Sequence, residues 1–79
     1  MTAETIIMFD LRGLKCPLPV LKLRKKLADL KPGDTISVET TDPLAAIDIP
    51  HFCNEDGHPL ASQEKTGGGH RFVIRKRLD

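Results

Sequence analysis

The residues best suited to chemistry are Cys16-Pro17-Leu18-Pro19, which lie between a run that reads as a strand and one that reads as a helix. A cysteine at the head of a helix sits near N–H groups that have no intrahelical partner and near the positive end of the helix dipole. Both favour the thiolate, which makes Cys16 a candidate nucleophile or sulfur carrier. Pro17 suits the first helical position, where φ is preset and the missing N–H breaks no bond. Pro19 falls in the same first turn. The N–H groups of Leu18 and Val20 are left to face the sulfur. Arg12 and Lys15 lie close in sequence, and cationic neighbours lower a thiol pKa further.

The elements that position this motif follow from periodicity. Thr5 to Arg12 is apolar and β-branched at its start and reads as a first strand. Gly13-Leu14-Lys15 is a short connection. From Pro17 to Leu30, Val20, Leu23, Leu27 and Leu30 form one apolar stripe, opposite Lys22, Lys25, Lys26 and Asp29. Lys31-Pro32-Gly33-Asp34 is a turn. Thr35 to Thr40 alternates, with Ile36 and Val38 on one face, and reads as a second strand. Asp42-Pro43 carries a helix-start signature. Pro50 is predicted to interrupt the helical run that begins there. The expectation is a turn or loose helix from Pro43 to Ile47, then a helix from about Ile49 to Glu55, capped by Asp48 and ended by Gly57. Pro59 to Lys65 and His70 to Arg77 read as strands three and four, joined by Thr66-Gly67-Gly68-Gly69. The predicted fold is a single α+β domain over residues 1–79. It is a two-layer β-α-β-α-β-β sandwich, a four-stranded mixed sheet with both helices on one face.

Composition narrows the function classes. The net charge of +1 excludes a polyelectrolyte, so nucleic acid would need a local patch. No apolar run is long enough to span a membrane, and Met1-Thr2-Ala3-Glu4 does not open a signal peptide. The expected location is the cytoplasm, where two cysteines are expected to be free thiols.

Arg12-Gly13-Leu14-Lys15-Cys16-Pro17-Leu18-Pro19 resembles the Cys-Pro-x-Pro signature of the TusA (SirA-like) sulfur-carrier family. The likeness continues through Lys31-Pro32-Gly33-Asp34, Asp42-Pro43, Asp48 to Cys53, Gly57-His58 and Arg71 to Lys76. It implies a sheet like that of the C-terminal domain of bacterial translation initiation factor three. It also implies that Cys16 accepts a sulfane sulfur as a persulfide and passes it to another protein, a sulfurtransferase activity needing no cofactor. Arg12, Gly13, Lys15, Pro17, Leu18 and Pro19 are then motif or persulfide-stabilising residues. The implied donor is a cysteine desulfurase or a rhodanese-like protein, and the implied acceptor a DsrE- or TusD-like protein. The sulfur ends in 2-thiouridine of tRNA in one branch and in other sulfur trafficking elsewhere. Leu18 is a departure, since other members often carry a glutamate there; it bears on the partner rather than on the chemistry.

The remaining signals have blander readings beside the functional ones. Cys53 shares a helical face with Ile49 and Phe52 and is expected in the core. It makes no Cys-x-x-Cys pair with Cys16. His51, His58 and His70 have no zinc-ligand spacing. Lys22, Arg24, Lys25 and Lys26 read equally as a solvated helix face or as a surface that steers an acidic partner. Leu18 is either an N-terminal staple or, the preferred reading, a partner contact, and Asp42 is a further candidate contact. Arg71, Arg75, Lys76 and Arg77 keep an edge strand soluble or bind RNA. The RNA-binding module is the alternative function. It is the weaker one, because only Phe72 interleaves with these charges.

Overall fold

The computed structural model describes residues 6–78. The predicted strand start at Thr5 and the Met1–Glu4 segment lie outside the described residues. The elements are β1 (Ile6–Asp10), α1 (Leu18–Ala28), β2 (Thr35–Thr40), α2 (Ala45–Asp56), β3 (Leu60–Lys65) and β4 (His70–Arg75). The sheet runs β1-β2-β4-β3, with β1 parallel to β2 and both other pairings antiparallel. This is the expected α+β order and mixed sheet.

One face of the sheet carries the core. Ile36 pairs with Ile74, and Val38 with Phe72, across β2 and β4. All four are buried, together with Leu23 and Leu27 of α1 and Ile49, Phe52 and Cys53 of α2. Burying a side chain of this size contributes roughly 1.5–3 kcal/mol, so this layer holds the helices against the sheet. Ile7 and Phe9 of β1 add to the same face. On the other face Ile6 and Met8 are exposed.

The element ends differ from the sequence reading for local reasons. β1 stops at Asp10 because the Asp10 carboxylate accepts the Arg12 N–H at 3.0 Å and turns the chain. α1 ends at Ala28 rather than Leu30. Its last turn tightens, with the N–H groups of Asp29 and Leu30 bonding three residues back, to Lys26 and Leu27. β4 is an inner strand, not an edge; β1 and β3 are the edges. Solubility at an edge is therefore not what Arg71 and its neighbours provide.

Pro50 does not interrupt α2; it lies inside a continuous helix. A proline there cannot donate to the carbonyl four residues back, that of Ala46. Gln63 of β3 supplies the missing donor: its Nε2 reaches the Ala46 oxygen at 3.3 Å. Gly57 ends the helix as predicted, in the left-handed conformation at φ 75°.

Gln63→Ala is expected to lower stability by about 0.5–1 kcal/mol in urea unfolding. In a Pro50→Ala background, where the helix supplies its own N–H, most of that loss should vanish. Equal losses in both backgrounds would show that the Gln63 bond does not compensate for Pro50.

Candidate functional site

Cys16 is exposed, immediately before α1, and it meets the start of α2. Two contacts with the chain around that start fix it, and a third bond braces the first of them. The Cys16 backbone N–H donates to Asp42 Oδ2 at 2.6 Å. The other Asp42 oxygen, Oδ1, accepts the Leu44 N–H at 3.1 Å, an Asx turn leading into α2. The Cys16 thiol donates to Asp48 Oδ2 at 3.1 Å. Asp48 thus contacts the sulfur instead of capping a second helical piece.

The preceding loop is held by Gly13. Its N–H donates to Thr41 Oγ1 at 2.8 Å, and its φ of 85° is one that side-chain-bearing residues rarely adopt. Cys16 opens onto a groove of about 460 Å³ lined by Gly13, Leu14, Lys15, Thr41, Asp42, Pro43 and Leu44. Leu18 and Leu21 on α1, with Leu44 and Ile47 at the start of α2, are exposed apolar residues around these helix starts. Of these, the sequence pattern singles out only Leu18.

The electrostatics overturn the thiolate expectation. The hydrogen bond to Asp48 raises the Cys16 pKa above its ordinary value. Desolvation and the negative charges of Asp48 and Asp42 act in the same direction. The helix N-terminus offers little against this. Pro17 is the flanking residue rather than the first helical one, at φ −95°, and the Leu18 N–H is taken by the Lys15 carbonyl at 2.9 Å. Arg12 is turned to Asp10, with Nε and Nη2 donating to its oxygens at 2.9 and 3.0 Å. Cys16 at rest is a hydrogen-bonded thiol.

The other sequence candidates are spread over several surfaces. Pro19 is buried, while Pro17, Lys15 and Leu18 are exposed. Lys22 and Lys25 line a different groove, with Phe9, Asp10, Leu11, Arg12, Leu14 and Lys26. Arg24 lies over the Phe52 ring, 5.4 Å from its centre. Of the candidate partner contacts, only Leu18 and Asp42 are therefore beside Cys16. Among the described residues no histidine is hydrogen-bonded to Cys16. His51 pairs with Glu55, and buried His58 accepts the Arg77 N–H at its Nδ1. Arg71 is held between Glu39 and Glu64, which weakens the basic strand as an RNA surface. Cys53 is 2% exposed, in the core as expected.

A family profile described as sulfurtransferase TusA matches residues 7–76. The chain belongs to the TusA family. A sulfur carrier protein TusA from Pseudomonas aeruginosa is 42% identical over 79 residues, covering 100% of both chains. The sulfur carrier protein TusA of Pseudomonas paraeruginosa is likewise 42% identical over 79 residues, again with full coverage of both. The crystal structure of a SirA-like protein from Desulfitobacterium hafniense superposes with a TM-score of 0.73 at 22% identity, covering 90% of this chain and 95% of that one. It shares the fold. The Cys-Pro-x-Pro signature that carries the TusA likeness thus sits at the exposed thiol between the two helix starts.

A thiol reagent at neutral pH should label Cys16 in the folded protein and spare Cys53; equal rates would contradict the burial of Cys53. The Cys53 thiol also has a pH signature. Burial raises its pKa from 9.0 to about 11. A thiol that ionises less readily folded than unfolded lends stability that is fully present below pH 9 and is lost as the pH rises toward about 11. Cys53→Ala should cost about 1 kcal/mol at pH 7 and show a shallower alkaline decline in urea titrations.

Proposed function

We propose that this protein is a sulfur carrier of the sulfurtransferase type, with Cys16 as the residue that bears the sulfur. The observation that carries the reading is an exposed thiol on an open groove, in a chain similar over its full length to sulfur carrier proteins. The Cys16 thiol gives up its proton to solvent, and the resulting thiolate attacks the outer sulfur of a donor persulfide. A sulfur–sulfur bond forms to Cys16, the donor's bond breaks, and the electron pair leaves with the donor thiolate. An acceptor thiolate then attacks the same outer sulfur and Cys16 leaves. Each step exchanges one sulfur–sulfur bond for another, so no oxidant or cofactor is consumed. Gly13, Pro17 and Pro19 set the loop geometry, while Lys15 borders the thiol.

The groove is open, as successive access by two proteins requires. Exposed Leu18 and Leu44 offer apolar contact beside the sulfur. The proposed donor is a cysteine desulfurase or rhodanese-like protein. The proposed acceptor is DsrE- or TusD-like, with tRNA thiolation or other sulfur trafficking in the cytoplasm downstream.

Incubation with a donor persulfide followed by intact mass measurement tests the reading. The protein should gain one sulfur that reductant removes. Cys16→Ser should gain none, and Cys53→Ala should load like the parent. Loading that persists in Cys16→Ser would overturn the assignment.

A further inference from the structure

Asp48 and Asp42 treat an empty and a loaded Cys16 differently. The empty thiol donates a hydrogen bond to Asp48 Oδ2, and Asp42 is anchored on the backbone N–H of the same residue. A persulfide ionises more readily than the parent thiol, because the inner sulfur withdraws electron density and the terminal S–H bond is weaker. The loaded anion has no proton to donate and faces two carboxylates. We infer that Asp48, backed by Asp42, is a positioning residue that favours the empty protonated form of Cys16 over the loaded form, and so drives sulfur onward to the acceptor. The inference rests on the reading of Cys16 as the persulfide-bearing residue.

The charges around Cys16 support this direction. Asp48 comes from α2 and Asp42 from the turn before it. The first turn of α1 carries no acidic residue, and Lys22, its first cation, lines the other groove. Arg12, after β1, is committed to Asp10. Lys15 lines the same groove as Cys16, but it is exposed and makes no hydrogen bond to the sulfur, so solvent screens its charge.

The balance can be written against a small thiol RSH. Cys16–SH and RS–S⁻ exchange to give Cys16–S–S⁻ and RSH. The Cys16 proton passes to the departing RS⁻, one sulfur–sulfur bond replaces another, and charge is unchanged. Asp48 stabilises the first side by accepting the thiol hydrogen and destabilises the second by repulsion.

The test compares the parent with Asp48→Asn in a fixed mixture of glutathione persulfide and glutathione. The loaded-to-empty ratio is read by intact mass. Asparagine keeps the shape and an acceptor oxygen but removes the charge. The ratio should rise about threefold in the variant, the size expected of one exposed charge. The pH profile of Cys16 alkylation by iodoacetamide should move to lower pH. A bond that served only to hold the loop would leave that profile in place. Asp48→Ser should move both readouts the same way, with circular dichroism confirming that each variant is folded. Sulfur uptake by the parent with an unmoved ratio, or an unmoved alkylation profile, overturns this inference alone. Absence of uptake by the parent overturns the carrier reading and this one with it.

Discussion

The site depends on the Asp42 carboxylate. Its two oxygens join segments far apart in the chain: one accepts the N–H of Cys16, the other that of Leu44. The first bond, at 2.6 Å, is short and charge-assisted, and such bonds are about twice as strong as neutral ones. It fixes the loop after β1 against the turn after β2. Thr41, the residue before, reinforces the joint by accepting from Gly13. The sulfur is therefore aimed by a side chain from the second crossover rather than by its own helix.

The layered fold makes that joint possible. Parallel pairing of β1 and β2 brings the C-terminal ends of both strands to the same end of the sheet, and each strand feeds a helix on the core face. Both helices therefore start on the same side, and the crevice between their first turns contains Cys16, Pro17, Pro19, Asp42, Ala45 and Asp48. Pro19 is buried there and closes the crevice from α1. The core below consists of aliphatic residues, two phenylalanines and Cys53, and it sets the helix positions.

Much of this was legible in the chain. Alternation of Ile36 and Val38 predicted β2 at its observed bounds, Gly57 marked the end of α2, and the proline-flanked cysteine marked the helix start. What was missed came mostly from contacts between distant segments. Asp48 lies 32 residues from Cys16, and no local pattern couples them. Pro50 looked like a breaker because its substitute donor, Gln63, arrives from another strand. Arg12 is the exception. Asp10 and Arg12 are two residues apart, the spacing at which an aspartate turns back on the chain, so their pairing was readable and the cation could have been taken from Cys16 beforehand.

Keeping Cys16 protonated also bears on its durability. Peroxides attack the thiolate, and an accessible thiolate is the first rung of the ladder to sulfenic and then irreversible acids. The groove leaves Cys16 open to such small oxidants, while Cys53 is sealed in the core and unable to resolve a sulfenic acid by forming a disulfide. Through its hydrogen bond to the Cys16 thiol, Asp48 disfavours the oxidisable thiolate at a sulfur whose companion cysteine is buried.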